Sequence, residues 1–306
     1  MSDRLLIVGG TGFIGNNLLP FAINLGYKVT ILSIHRIKNE DKVFSVEYLN
    51  ADICNFHELQ NILSKNLFTY VINLSGYIDH SGFFDNGDKV IEAHFNGVKN
   101  IVKCVKHKGL KRFIQIGSSD EYGDNLAPQD ESQRERPISP YSFAKVAASQ
   151  FLQMLHKSDN FPVVILRLFL VYGPGQDINR FLPQVIQGCL MNKHIPLSHG
   201  RQLRDFCFVD DISIGILDAL KRDKVKGELI NLASGDPISI HKVVEEVREE
   251  IGMGIPEFGK IPFRSGENMQ LYADISKAKR LLDWEPKTSF KEGLKKTVHS
   301  YIQRIN

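Results

Sequence analysis

Covalent and metal-stapled scaffolds find little to work with in this chain. Four cysteines stand in 306 residues, at Cys54, Cys104, Cys189 and Cys207, far apart and with no CxxC pair. That spacing argues against a zinc ribbon or a thioredoxin-type motif and fits free thiols in a reducing cytosol. The ten histidines include no HExxH pair, so no metal site is expected. Excess charge is also scarce: 38 Lys plus Arg against 35 Asp plus Glu leave +3. Such a balance argues against nucleic acid or a membrane surface as partner, so any affinity for anions must come from local groups. No apolar run approaches the length of a membrane span. The start, MSDRLLIVGGTG, has no signal-peptide pattern because glycine ends its apolar run early. A soluble, cytoplasmic protein is expected.

What is present is alternation. Short apolar runs suggest strands over residues 4–8, 27–32, 70–74, 112–117 and 163–168. Helical spacing covers 13–25, 56–65, about 88–108 and 141–156. Strands alternating with helices imply βαβ units and a parallel sheet, with runs such as 5–8 covered on both faces. After Tyr172 the pattern is punctuated by Pro174, Pro183, Pro196, Pro237, Pro256, Pro262 and Pro286. The expected layout is an α/β core over residues 1–170 and a smaller mixed α/β lobe over 171–306, with re-entry of the chain into the first sheet allowed.

Gly9, Gly12 and Gly15 have GxxGxxG spacing where the first strand turns into the first helix. Gly9 permits the tight turn, Gly12 lets a pyrophosphate approach the backbone, and Gly15 lets the helix pack close to the strand. Free N–H groups at the helix start then face the phosphates. Thr11, Phe13 and Ile14 belong to the same turn. A carboxylate after the second strand would bind the ribose hydroxyls of NAD. Here the run is Ser33-Ile34-His35-Arg36. Arg36 and Ser33 suit a 2′-phosphate, which favours NADP(H) over NAD(H); the alternative is that His35 and Arg36 are solvated loop residues. Asp52, with Ile53 beside it, is a candidate for the adenine amino group. Leu74 and Ser75, after the 70–74 strand, complete the candidate cofactor set.

Tyr141 and Lys145 stand one helical turn apart on one face. Carbonyl reduction needs a proton donor as hydride arrives, and a phenol beside an ammonium can provide it. Lowering a tyrosine pKa from about 10 to neutrality takes about 4 kcal/mol of preferential phenolate stabilisation, which Lys145 and an oxidised nicotinamide are expected to supply. Ser118, directly after the 112–117 strand, is the first choice to hold the reacting oxygen and Ser119 the second.

GGTGFIG, NLSG (73–76), GSSDEYG (117–123), SPYSFAK (139–145), RLFLVYGPGQ (167–176), RQLRDFCFVDD (201–211) and ADISKAKRLLDWEPKTSF (273–290) span nearly the whole chain. Together they resemble the extended short-chain dehydrogenase/reductases that act on nucleotide sugars. The resemblance implies a Rossmann-type doubly wound parallel sheet, a nucleotide-sugar-binding C-terminal lobe and a homodimer. For that dimer, Val98, Ile101, Val102 and Val105 are interface candidates, with the core as the alternative. It implies a catalytic trio of Ser118, Tyr141 and Lys145. Arg204 falls on a diphosphate-contacting position, Arg180 is a second candidate, and Asp205, Asp210 and Asp211 are expected to be structural. Leu170 replaces an asparagine that many members carry there.

Ser119 and Asp120 stand where the sugar 4,6-dehydratases usually carry an Asp–Glu pair, which argues mildly against dehydration. The GSSDEYG run and the segment from Tyr77 to His80 look most like sugar 4-ketoreductases, with His80, Ser119 and Asp120 near the sugar; a polar loop role is the alternative for His80. The leading expectation is NADPH-dependent reduction of an NDP-4-keto-6-deoxyhexose. The alternatives are a 4-epimerase or 4,6-dehydratase with tightly held NAD, and a non-catalytic dinucleotide sensor.

Overall fold

Leu5, Leu6, Ile7 and Val8 are each at most 1% exposed in the computed structural model, which describes residues 3–263 and 266–305. A short apolar run ended by glycine buries all its side chains only as a central strand covered on both faces. That strand is β1 (Arg4–Val8). Then come β2 (Lys28–Ser33), β3 (Glu47–Asn50), β4 (Tyr70–Asn73), β5 (Arg112–Ser118) and β6 (Val163–Leu168). Alternate side chains feed two separate cores. Leu5 and Ile7 pack with Leu18, Ile216 and Trp284, whereas Leu6 and Val8 pack with Leu59, Ile101 and Leu152.

The chain then builds β7 (Leu170–Tyr172), β8 (His194–Leu197) and β9 (Leu203–Phe208) outside this sheet and returns to it with β10 (Leu229–Leu232). Seven parallel strands result, in the order β10-β6-β5-β4-β1-β2-β3. This is a Rossmann-type doubly wound sheet whose order reverses between β1 and β4, where ligands of such sheets bind. The remaining strands, β11 (Pro237–Ser239), β12 (Ile255–Phe258) and β13 (Gln270–Leu271), make small sheets with β7, β8 and β9. They pack on a third core of Tyr172, Ile186, Phe208 and Val244.

The helix Pro140–Asp159 carries Tyr141 and Lys145 and is closed at both ends. Ser139 accepts a hydrogen bond from the Ser142 amide at 3.1 Å, Pro140 opens the first turn, and Asn160 ends it at φ 53°. The single helix expected over 88–108 is instead broken. Asp88–Ile91 and Gly97–Cys104 are α-helical, the π-turn Glu92–Asn96 lies between them, and Val105 is extended. The wider turn carries His94 into the interior, where it is 3% exposed. Val98, Ile101, Val102 and Val105 are at most 4% exposed within this one chain, so they belong to its own core and offer nothing to a dimer interface.

Candidate active site

Gly9 lies at φ +74°, and a Cβ there would stand 2.9 Å from the Ser75 Cα. The turn after β1 thus nests on the segment after β4, and only glycine fits. Gly12 is exposed and precedes the helix Phe13–Asn24. No side chain caps that helix and no acidic residue occupies its first turn, so its first amides, next to Phe13 and Ile14, are free for an anion. The closeness that requires Gly15 is not to the strand, as its spacing suggests. A Cβ there would lie 2.3 Å from the Gly10 carbonyl oxygen, inside the turn itself.

Thr11 Oγ1 and Ser33 Oγ are 3.0 Å apart, pinning the turn to the end of β2. Ser33 also accepts from the His35 amide at 3.3 Å, so its hydroxyl is already engaged. Asn50 donates to the Ser33 and Ile34 carbonyls, each at 2.9 Å, and fixes the chain that leads to exposed Arg36. Asp52 accepts from the Cys54 amide at 2.9 Å, and Ile53 packs on Gly97. Leu74 packs on the core, and Ser75 is bonded to Asn73. The glycine bend, the open helix start and the absence of a carboxylate on β2 fit a phosphate-bearing dinucleotide.

Tyr141 is 4% exposed and lies beside Ser118, whose Oγ accepts from the Asp120 amide at 3.2 Å. Lys145 is not directed at the phenol. Its Nζ lies 5.8 Å from the Tyr141 ring and donates to the Ile116 carbonyl at 3.0 Å. Burial, and then Asp120, push the phenol above its ordinary value, with Ser118 pulling the other way. The chain's own groups therefore do not acidify Tyr141, contrary to the expectation for Lys145: burial removes more phenolate solvation than any neighbour returns. Burial also lowers Lys145 to about 8.

His80 and Asp120 flank the phenol. His80 Nε2 is 3.7 Å from Asp120 Oδ2, and its ring meets the Tyr141 ring edge-on at 5.5 Å. Burial raises the Asp120 carboxyl; His80, Arg180 and Arg204 act against that rise, so both arginines face this corner. Arg204 is already ion-paired with Glu267 and donates to the Leu203 carbonyl at 2.8 Å. Ser119 is as deep as Tyr141, at 4% exposed. Asp205, which accepts from Ser234, Gly235 and Ala273, and Asp211, which accepts from Thr288, bind backbone.

Two residues escaped the sequence reading. His94 meets the Tyr141 ring edge-on at 5.0 Å, and its Nε2 lies 2.7 Å from the Tyr77 carbonyl. Burial, and then Lys145, hold it neutral by lowering it to about 3. Glu121, fully buried, accepts from the Ser118 amide at 2.8 Å, Ser149 at 3.0 Å and Arg167 Nε at 3.0 Å. It thereby ties β5, the Tyr141 helix and β6 together. Neither position carries a local signal, since Glu121 follows Ser118, Ser119 and Asp120, and His94 stands between Glu92 and Asn96.

Residues 5–233 match the NAD dependent epimerase/dehydratase family. The chain belongs to that family. It is 30% identical to a UDP-glucuronate 4-epimerase of Thermodesulfobacterium geofontis, over 96% of this chain and 94% of the other. It is 26% identical to a dTDP-glucose 4,6-dehydratase of Haemophilus influenzae, over 98% of each. A solved structure of a UDP-N-acetylglucosamine 4-epimerase from Methanobrevibacter ruminantium, in complex with UDP-N-acetylmuramic acid, superposes with a TM-score of 0.89 at 26% identity, over 99% of this chain and 100% of that one. Each of these three relatives is a nucleotide-sugar enzyme. These relatives are epimerases and dehydratases, so the expected 4-ketoreductase has no counterpart among the three. Among the described residues no helix is long and apolar enough to cross a membrane, and no His, Cys, Asp and Glu cluster could hold a metal.

Proposed function

We propose that the chain is a nucleotide-sugar 4-epimerase that oxidises and re-reduces C4 of an NDP-hexose. The observation that carries this reading is the placing of the buried Tyr141 phenol beside Ser118 at the C-terminal edge of β5, close to the sheet's switch point. A bound nicotinamide dinucleotide supplies the hydride acceptor and donor for C4. Tyr141 acts as the phenolate, which the positive charge of an oxidised nicotinamide beside it would favour; it takes the C4 hydroxyl proton as the carbonyl forms and returns it on reduction. Ser118 holds the same oxygen. Lys145 keeps a positive charge beneath the site from its anchor on Ile116, and Arg180 and Arg204 suit the diphosphate. Elimination of water to a 6-deoxy sugar needs a carboxyl pair, an acid and a base. Here Asp120 stands alone, because Glu121 is consumed by Ser118, Ser149 and Arg167. That argues for epimerisation over dehydration.

One observation favours a second reading, net reduction of an NDP-4-keto-6-deoxyhexose with NADPH: β2 ends without a carboxylate and exposed Arg36 follows. A two-armed assay separates the readings. Purified protein that carries NAD through gel filtration and interconverts C4 epimers of UDP-hexoses without added cofactor supports the first. Protein that comes out bare and consumes NADPH only with 4-keto sugars supports the second. Failure of both arms across UDP-, dTDP-, GDP- and CDP-sugars sinks both. In either case Tyr141→Phe lowers turnover by about 100-fold or more.

A further inference from the structure

Beside the phenol stands a pair that hydride transfer at C4 leaves unused. His80 Nε2 lies 3.7 Å from Asp120 Oδ2, and the imidazole edge meets the Tyr141 ring at 5.5 Å. The pair comes from two different strand ends, the loop after β4 and the turn after β5. Both are held in place. Asp79 accepts from the Ser81 amide at 2.8 Å and from its hydroxyl at 2.6 Å, fixing the chain just past His80. His94 clasps Tyr77 three residues before it. Asp120 is set by the hydrogen bond its backbone N–H donates to Ser118 Oγ. The His80 side chain is half exposed, so it borders the space a sugar would take and is not packed away.

A sugar whose C4 oxygen rests on Tyr141 and Ser118 has C3 and C5 one bond further on. Once C4 is a ketone, the hydrogens on those carbons become acidic. The nitrogen that faces Asp120 is Nε2, which leaves Nδ1 as the free acceptor.

We propose that His80, backed by Asp120, exchanges the proton on a carbon next to the C4 carbonyl, giving the enzyme reversible enolisation of the 4-keto sugar. The Cα–H bond breaks and its proton goes to His80 Nδ1. The bonding pair forms a C=C double bond, and the carbonyl π pair moves to the C4 oxygen, which takes the Tyr141 proton. Reversal restores every atom, and no oxidant or reductant is consumed. Asp120 balances the imidazolium that forms. The inference rests on the C4 chemistry proposed above.

The test uses the full chain with bound NAD, in D2O, and UDP-4-keto-6-deoxyglucose as probe. Because the cofactor is oxidised, the ketone binds without being reduced. Deuterium entering C3 or C5 faster than in the enzyme-free control is expected, read by NMR. The same samples with NADH report hydride transfer to C4. His80→Asn and Asp120→Asn are each expected to lower the ratio of exchange to hydride transfer about 100-fold. Hydride transfer without deuterium in the wild type, or an unchanged ratio in both variants, overturns the inference and leaves the C4 reading intact. Absence of both hydride transfer and exchange overturns the two together.

Discussion

Lys145 donates to the carbonyl oxygen of Ile116 across 3.0 Å, so its ammonium is moored to the central sheet and not to the phenol one helical turn before it. The mooring has an electrostatic cost. Burial depresses the amine to about 8 from 10.5, so between those values the unfolded chain binds the proton that the folded chain has released. Stability contributed by this group therefore rises with pH from about 8 to 10. Lys145→Met removes that slope. At neutral pH it is expected to stabilise the protein by about 2 kcal/mol, the desolvation relief less about 1 kcal/mol for the lost hydrogen bond. Turnover is lost at the same time. Urea midpoints at pH 7 and pH 9.5 check this, and a destabilised variant with the slope intact refutes it.

His94 behaves in the opposite pH range. Its folded value, near 3 against 6.5 unfolded, means the unfolded state gains a proton first on acidification. The stability it contributes is full above about 6.5 and falls as pH drops toward 3. The loss amounts to about 2 kcal/mol by pH 5. His94→Gln should flatten this acid limb in denaturation curves between pH 7 and pH 5. It should also lower kcat, since the Tyr141 ring loses its edge contact.

Glu121→Gln leaves the Arg167 guanidinium buried with only Glu135, 2.6 Å away, to balance it. Breaking one arm of a buried ion pair costs about 3 kcal/mol. The expected result is a lower urea midpoint together with weakened turnover, because the Ser118 amide keeps only a neutral acceptor. A variant as stable as the wild type contradicts the bracing role.

Arg36 tests the net-reduction reading. Arg36→Ala is expected to weaken NADP(H) binding about tenfold and leave NAD(H) unchanged, the worth of one charge-assisted hydrogen bond. Calorimetry with both dinucleotides measures it. Equal affinities before and after the change remove the argument for a 2′-phosphate.

The strands were legible because burial on both faces leaves an unbroken apolar run, as in β1. The glycine bend and the Tyr141–Lys145 spacing were legible because they are local. What stayed hidden was long-range. Nothing around Lys145 announces Ile116, 29 residues away, and nothing near Arg204 announces Glu267. His94 sat inside a helical pattern whose π-turn no periodicity reveals. The role given to Gly15 failed for the same reason, and the choice left open for Val98, interface or core, went to the core, since each depends on which neighbour lies across the gap.

The return of β10 to the side of β6 makes the two parts of the molecule inseparable. Cutting the chain after residue 170 removes not only the smaller sheets but also the strand that shields β6, whose backbone would then lie bare as a template for other chains. Exchange of everything after β6 as one block therefore cannot give this scaffold a new specificity without also opening its sheet, whereas change confined to loops can.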